Sequence, residues 1–496
     1  MENQKTKIIS IASIIALALT LVTATFAYFM AQTGEGKSTD IKINANTVDT
    51  FTFEAGSAIS LNLNQDNFAS GKGNQTGTTF AKAMLSANNK TNTATEHYYM
   101  YLNISENTFT YTQDANTPEI LLTIKDANGN AITSITGLTH KTVTDGKGAS
   151  ISGFDITTKS GLITLFDNRE ITTTSSKTEE WNITVTFVNY NVNQAGNAGK
   201  SFSAKLMIQK DKTRYDMVCD ESKLACHVAK LYTGTQGKNS LYYHDSSLTN
   251  GAGDNSYRYA GASNSVNNYI CLGSDEATCP DANLFRIIGV FGAQTKVIRA
   301  KSVGKQEWDT SESNIWSSSS LNTYLNGTYL TSLGTIAEKI ATTTWKVGGG
   351  LWDNIAVSVP KTAYQNEVGS SASSTTHDAK IGLMYVSDYY YSASPSAWTL
   401  VGYNESDATK DYRAATSTNW LYLGSYEWTI SRPSNHASYA FYVSSTGLVG
   451  GDHVSRSFGV RPSFNLLSSV TFVSGSGTQS DPIRITDWRT VLKKHR

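Results

Sequence analysis

The sequence predicts an all-β sandwich followed by an α+β, loop-rich domain, preceded by an N-terminal signal peptide or transmembrane helix. Three features of the chain predict this order. They are an uncharged run at residues 8–31, alternation of apolar and polar residues from about 40 to 210, and mixed strand and helix patterns from about 265. Alternation with period two is typical of half-buried strands, and mixed patterns are typical of α+β domains.

The N-terminal segment carries an export signal. Residues 8–31 follow Lys5 and Lys7 and contain no charged residue. As a helix the run would be about 36 Å long at roughly 1.5 Å per residue, which is enough to cross a bilayer. It also fits a secretion signal with Thr25-Phe26-Ala27 as the cleavage site. A cleaved signal and a retained membrane anchor both remain open for residues 1–32, and both predict that the rest of the chain is extracellular or on the cell surface.

The composition excludes some classes of partner. The chain has 41 basic and 41 acidic residues and no basic stripe, so nucleic-acid binding is not expected. Only 17% of the residues are charged, while tyrosine occurs 26 times. Low charge together with many Tyr, Ser, Thr and Asn residues favours a strand-rich extracellular protein with a binding surface.

The four cysteines lie in two close pairs, Cys219 with Cys226 and Cys271 with Cys279. An even number of cysteines in an exported chain predicts disulfides, here two local ones. Free thiols and a metal site are the alternatives. A thiolate metal site usually has tighter spacing such as C-x2-C, whereas these pairs are spaced C-x6-C and C-x7-C.

The alternating region predicts a β-sandwich over residues 33–212. Trp181, Ile183, Val185 and Phe187 share one face of a predicted strand, with polar residues between them. The run SFSAKLMIQ near the end of the region alternates in the same way. Several such strands separated by turn signals indicate two packed sheets, so we expect these apolar side chains to be buried together with Leu206 and Ile208.

This region resembles the camelysin/TasA-type secreted fibre proteins. The resemblance lies in the export segment ending TATFAYFMAQ, the strand YYMYLNI, and WNITVTFVNYNVNQAGNAGKSFSAKLMIQ near the domain end. It implies a jelly-roll-like sandwich, export by a signal peptidase, and self-assembly through strand donation. Open sheet edges make strand donation physically reasonable. A sandwich that only spaces the next domain from the cell is the alternative.

The second half of the chain predicts a different architecture. Residues 213–260 are predicted to be a linker or an irregular start of the next domain. LFRIIGVF (284–291) is apolar on both faces and predicts a buried strand, which pairs in a hairpin with TKVIRAKSV (295–303). SSSLNTYLNGTYLTSL (318–333) predicts a helix with a serine N-cap, and AEKIATTTW (337–345) predicts a second short helix.

Ordered motifs in this half resemble a domain of bacterial surface proteins related to the formylglycine-generating-enzyme and C-type-lectin-like folds. They are CLGSDEATCPDANLFRIIGVF, WSSSSLNTYLNGTYLTSL, KIGLMYVSDYYYSAS, EWTISRPS, YAFYVSSTG and FGVRPSFNL. The resemblance implies a C-type-lectin-like domain over residues 261–487 with a loop-rich face suited to holding ligands. Residues 488–496 form a basic tail.

No motif in the sequence predicts an enzymatic function. Formylglycine-generating enzymes use cysteines in their C-terminal half, and no cysteine follows Cys279. The chain contains no G-x-S-x-G, H-E-x-x-H, P-loop or dinucleotide fingerprint. His436 and His453 are interpreted as polar loop residues, and Arg461 as a structural residue that pins the last strand. We therefore expect no catalytic residues and no cofactor.

A metal site is likewise not expected. The E-P-N, Q-P-D and W-N-D signatures of calcium-dependent lectins are missing from the sequence. Asp275, Glu276 and Asp281 cluster near the second cysteine pair, where a calcium site is the alternative to a solvated acidic loop.

Aromatic and polar residues concentrate in two segments of the second domain, residues 388–398 and 420–457. Tyrosine and tryptophan give a large contact area at low entropy cost, which is typical of binding surfaces. The sequence predicts one contiguous ligand-binding patch, made by Tyr389, Tyr391, Trp398, Tyr422, Tyr426, His436 and Tyr442.

These features predict a non-enzymatic bacterial surface or secreted protein that displays a C-type-lectin-like domain on a β-sandwich. Its expected role is adhesion or surface recognition, with an extracellular protein or glycan as ligand. Two alternatives remain. One is a structural fibre subunit, and the other is an extracellular enzyme on the same fold.

Overall fold

The computed structural model describes residues 49–63, 71–87, 93–114 and 117–485. The predicted signal or anchor at 1–32 and the basic tail at 488–496 lie outside these residues. Within the described ranges, no helix is both long and apolar enough to span a membrane. The described chain is mostly β-structure arranged in several sheets.

Ten strands build the first domain as two sheets. The larger sheet has the order β1-β3-β9-β5-β7-β6, and the smaller sheet has the order β2-β10-β4-β8. The strands are β1 (Thr50–Ala55), β2 (Ile59–Asn62), β3 (Gln75–Ser86), β4 (Ala94–Asn107), β5 (Ile120–Asp126), β6 (His140–Thr144), β7 (Ser150–Asp155), β8 (Gly161–Thr173), β9 (Ser176–Phe187) and β10 (Ser201–Gln209).

The burial of the apolar side chains in the sandwich confirms the alternating pattern predicted from the sequence. Trp181, Ile183, Val185 and Phe187 are all buried on β9, and Leu206 joins them from β10 of the other sheet. Ile208 is partly buried and packs against the same cluster. The alternating apolar residues of the two sheets therefore face each other, as expected for a sandwich.

The second domain begins directly after the sandwich, so residues 213–260 are the start of that domain, one of the two predicted alternatives, and not a linker. Helix α1 (Tyr215–Val218), helix α2 (Leu224–Lys230) and strands β11 (Leu241–His244) and β12 (Ser256–Tyr259) lie in this segment. Their apolar side chains belong to the core of the second domain, and β11 and β12 are strands of its largest sheet. The strands are too short, and β12 too fully buried, to produce the alternation that identified the sandwich.

Three sheets organise the second domain. The largest runs β11-β12-β14-β13-β25-β24, with β15 and β23 joined to it through β14; the others are β16-β22-β19-β20-β21 and β17-β18. The strands are β13 (Tyr269–Cys271), β14 (Leu284–Phe291), β15 (Gln294–Arg299), β16 (Lys305–Glu307), β17 (Thr343–Lys346), β18 (Thr376–Ala379), β19 (Glu427–Trp428), β20 (Tyr439–Val443), β21 (Val449–His453), β22 (Ser457–Gly459), β23 (Ser463–Leu466), β24 (Phe472–Ser474) and β25 (Ile483–Ile485).

The predicted hairpin at 284–303 is confirmed, because β14 is buried along nearly its whole length and pairs antiparallel with β15. At the other end of the domain, β25 pairs in parallel with β13. This pairing brings the end of the described chain next to β13, a strand from the first part of the second domain.

The helix predicted at 318–333 is confirmed, with a π-helical turn in its middle. Helix α3 (Ser320–Tyr324) continues through the turn (Leu325–Tyr329) into α4 (Leu330–Ser332), and the Ser319 side chain accepts a hydrogen bond from the Asn322 amide as N-cap. The remaining helices are α5 (Trp352–Ile355), α6 (Pro360–Glu367) and α7 (Val386–Tyr391), with 3₁₀ turns at Ala195–Asn197, Lys238–Ser240, Asp281–Asn283, Trp316–Ser318, Gly334–Lys339, Pro395–Ala397, Ala408–Lys410 and Tyr412–Thr418.

The prediction of a second short helix at 337–345 is wrong. A 3₁₀ turn ends at Lys339, and β17 begins at Thr343. Three consecutive threonines, residues 342–344, explain the difference, because β-branched side chains are stiff in helices and pack well in strands.

Both predicted disulfides are confirmed. The Cα atoms are 5.5 Å apart in Cys219–Cys226 and 5.9 Å apart in Cys271–Cys279, and no cysteine is left free. Disulfides form and persist in oxidising compartments, which is consistent with an exported protein.

Candidate ligand-binding surface

Three of the seven predicted ligand-binding residues lie in the core, which corrects that part of the prediction. Tyr389, Tyr391 and Trp398 are each at most 1% exposed. The Tyr389 hydroxyl donates to the Gly447 carbonyl at 2.8 Å, and the Trp398 indole N–H donates to the Ala393 carbonyl at 3.0 Å. Because the polar tips find buried backbone partners, these rings fill the interior and cannot contact a ligand.

The other four predicted residues reach the surface. Tyr426 and His436 are exposed, and Tyr422 and Tyr442 are partly buried. The Tyr422 hydroxyl donates to the Ser445 carbonyl at 2.6 Å, so this ring is tethered to the loop that follows β20.

Tyr426 and Tyr442 form a compact aromatic cluster with Phe458. We call these three residues the tyrosine face. The ring centroids are 5.5 Å apart for Tyr426 and Tyr442, and Phe458 lies 5.1 Å from each. Trp428 is buried beneath them, 4.6 Å from the Phe458 ring. Tyr426 remains 43% exposed and the other two rings are partly buried, so the cluster presents aromatic surface to solvent mainly through Tyr426.

The five-stranded sheet explains why these rings meet. Trp428 on β19 lies opposite Tyr442 on β20, and β19 also pairs with β22, which carries Phe458. Gly450 on β21 is the cross-strand partner of Tyr442, and a Cβ at Gly450 would come within 2.8 Å of the Tyr442 hydroxyl. The missing side chain therefore leaves the space in which the Tyr442 ring lies.

A second aromatic group lies near His436. We call Trp352, His436, Tyr439 and His453 the tryptophan face. The Tyr439 ring stacks on His436 at 5.3 Å and lies 4.5 Å from His453, while Trp352 lies 6.1 Å from His436. Next to it, Gly451 makes room for Trp352, since a Cβ there would lie 2.3 Å from the indole ring.

The two faces are separate, so the prediction of one contiguous patch is wrong. Tyr439 and Tyr442 are three positions apart on β20, and successive side chains of a strand point to opposite sides of its sheet. The hairpin β20–β21 therefore carries the tyrosine face on one side and the tryptophan face on the other. Trp352 and Phe458 were missed in the sequence because they lie outside the aromatic-rich segments. The Gly450-Gly451 pair within a strand was the available signal.

Charged groups border the tyrosine face. Asp452 follows the glycine pair on β21, and the Arg456 guanidinium lies 3.6 Å from its carboxylate. Burial, followed by the neighbouring Tyr426 and Asp452, raises the pKa of Tyr442, so its hydroxyl remains protonated and can donate a hydrogen bond at neutral pH.

Arg461 has the structural role predicted for it. Its guanidinium donates to the Glu427 carboxylate at 2.8 Å and to the Leu421 carbonyl at 2.6 Å, and both charged side chains are at most 2% exposed. The ion pair ties the segment before β23 to β19, the strand beneath the tyrosine face.

The interior holds a second group of charges that has no access to solvent. We call Arg258, Lys296, Glu367 and Asp388 the buried ion cluster, since each is at most 5% exposed. Burial raises the pKa of Glu367 to about 7, and burial lowers the pKa of Lys296 against the opposing effect of Asp388. A substrate cannot reach groups enclosed in this way, so the cluster is not an open active site.

The acidic loop near the second disulfide shows no set of metal ligands. The Asp281 carboxylate is paired with the Lys301 ammonium at 2.6 Å. Across the residues the structure describes, no group of three or more His, Cys, Asp or Glu side chains could hold a metal ion.

One family model matches part of the chain. Residues 293–468 match a family described as "Domain of unknown function (DUF6273)". The match begins at the turn before β15 and ends just after β23, so it contains both aromatic faces and most of the buried ion cluster. No curated protein matches the chain.

Proposed function

We propose that this is an exported, non-enzymatic bacterial surface protein whose second domain, of C-type-lectin-like type, binds an extracellular glycan through the tyrosine face. The observation that carries the proposal is the aromatic cluster at the surface, in which the exposed Tyr426 contacts the partly buried Tyr442 and Phe458. The sandwich would hold this domain away from the membrane or the cell wall.

The aromatic cluster has the properties of a binding surface. Its rings are held by contacts with one another and by the buried Trp428, so little side-chain freedom is left to lose on binding. Tyrosine rings contribute a large contact area, and their hydroxyls add hydrogen bonds at the edge. Such a surface is therefore pre-organised for a partner.

A glycan matches the chemistry of this surface. The C–H faces of a sugar ring can stack on the aromatic rings, while the sugar hydroxyls exchange hydrogen bonds with the phenol groups and with Asp452 and Arg456. A protein ligand is the other outcome that the experiment can reveal.

A fibre subunit is the second candidate function. It is favoured by the edges of the six-stranded sheet, where β1 and β6 each pair on one side only among the residues that the structure describes. Unpaired edge strands are templates for pairing with another chain. Electron microscopy of the purified exported protein tests this candidate, because filaments would support it and dispersed particles would count against it.

The experiment for the leading proposal is a glycan array probed with the exported chain and with Tyr426→Ala/Tyr442→Ala. Tyr99→Ala is a matched control, because Tyr99 is a partly buried tyrosine of the sandwich. We expect the wild type and the control to bind the same glycans and the double variant to lose them. Binding that survives in the double variant would exclude the tyrosine face, and capture only by a protein array would change the ligand class.

A further inference from the structure

Lys296 and Asp388 form a close pair in the core of the second domain. The Lys296 ammonium nitrogen on β15 lies 2.5 Å from Oδ2 of Asp388 on α7, and both residues are buried. The residues are 92 positions apart in the sequence. Charges removed from water in this way are costly even when paired, so a reaction that eliminates both charges is favoured by the surroundings.

Aromatic rings enclose the lysine end of the pair. The ammonium nitrogen lies 4.8 Å from the ring centre of Tyr385, 5.5 Å from that of Trp345 and 5.7 Å from that of Phe291. Burial lowers the pKa of Lys296, which favours the neutral amine that can act as a nucleophile.

The carboxyl end of the pair is set up as an electrophile. The Arg258 guanidinium lies 3.7 Å from Oδ1 of Asp388, where a negative charge would develop when a nucleophile attacks Cγ. The Tyr385 amide donates to Oδ2 at 2.8 Å, the oxygen that would leave. Glu367 supplies a second buried carboxyl group nearby, bound by the amides of Val386 and Ser387 at the start of α7.

We propose that Lys296 and Asp388 join in an intramolecular amide cross-link. The bond between Nζ of Lys296 and Cγ of Asp388 forms, and the bond between Cγ and Oδ2 breaks. Two of the three ammonium protons leave with Oδ2 as water, and the third stays on the amide nitrogen. The ammonium and carboxylate charges cancel, so the step needs no oxidant, reductant or external group.

The cross-link would tie β15 covalently to α7. It would close a loop that contains the helix at 320–332 and helices α5 and α6. A surface protein that holds a ligand under pulling force would gain from such a bond, because β15 and the largest sheet could not separate from α7 by unfolding. The inference is independent of the ligand and of the tyrosine face.

Mass spectrometry of the reduced, denatured full chain tests the proposal, after the N-terminal residue has been identified by sequencing. We expect the wild type to weigh one water molecule less than its sequence and to yield a branched peptide that contains both residues. The variant Lys296→Met should have its full sequence mass. Lys301→Met is the matched control, because Lys301 forms an exposed pair with Asp281, and it should keep the deficit.

If Lys296→Met fails to fold, the mass and the peptides of the wild-type chain are sufficient to test the cross-link. A full sequence mass, with Lys296 and Asp388 recovered in separate linear peptides, would overturn the proposal and leave the pair as an ordinary buried salt bridge. A branched peptide that joins one of these residues to a different partner would also overturn it.

Discussion

Glu367→Gln should remove a pH dependence of stability that originates in the buried ion cluster. The raised pKa of Glu367, about 7 against an ordinary value of 4.5, means that the folded protein binds this proton more tightly than the unfolded chain does. At 1.36 kcal/mol per pKa unit, the difference corresponds to about 3 kcal/mol. Because the folded pKa is raised, this stabilisation is complete below pH 4.5 and is lost as the pH rises to about 7.

Urea unfolding at a series of pH values from 4 to 8 measures this effect, with tryptophan fluorescence as the probe because most tryptophans lie in the second domain. Glutamine stays neutral, so the variant should lack the fall of about 3 kcal/mol that the wild type shows between pH 4.5 and 7. If the glutamine variant loses the hydrogen bond from the Ser387 amide, its free energy of unfolding falls by the same amount at every pH, so the shape of the pH profile is unaffected. Glu405→Gln, at an exposed position, should keep the wild-type profile. Parallel profiles for the wild type and Glu367→Gln would refute the reasoning.

Three further changes should have separable effects. Arg461→Met should lower the free energy of unfolding by about 3–5 kcal/mol, because it leaves its buried carboxylate partner unpaired; a loss below about 1 kcal/mol in urea unfolding would contradict this. Gly450→Ala should weaken glycan binding while the melting temperature changes little, because the partly exposed Tyr442 ring must turn away from the new methyl group; unchanged affinity would argue against this geometry. The double variant Cys271→Ser/Cys279→Ser should lower the free energy of unfolding by about 2.5 kcal/mol, because the unfolded chain is no longer restricted by the closed loop. Thermal unfolding measures this loss, and an unchanged midpoint would show that the disulfide does not stabilise the domain.

The first domain was predictable because its longest strands, such as β3, β9 and β10, alternate between buried and more exposed residues. Residues 181–187 alternate along β9, and the pattern alone identifies both the strand and its core side. The same rule did not identify β11 and β12 within 213–260. There, β12 is buried on both faces over only four residues, so its membership of the sheet depends on contacts with distant parts of the chain.

The candidate site was only half predictable for a related reason. Density of tyrosine and tryptophan does not distinguish a core from a surface, because a buried tyrosine hydroxyl can be satisfied by a backbone carbonyl. Tyr389 does this through Gly447, whereas Tyr426 stays exposed. Whether a tyrosine is buried or exposed depends on which side of its sheet is covered by other elements, and a single sequence does not contain that information.

The most direct test of the central claim is isothermal titration of the exported chain with a glycan selected on the array, comparing the wild type with Tyr426→Ala/Tyr442→Ala. The proposal predicts that the double variant loses at least about 2 kcal/mol of binding free energy, roughly a 30-fold weaker affinity, while its melting temperature stays close to that of the wild type. Equal affinity of the two proteins, or a loss of affinity that merely follows a large loss of stability, would contradict it.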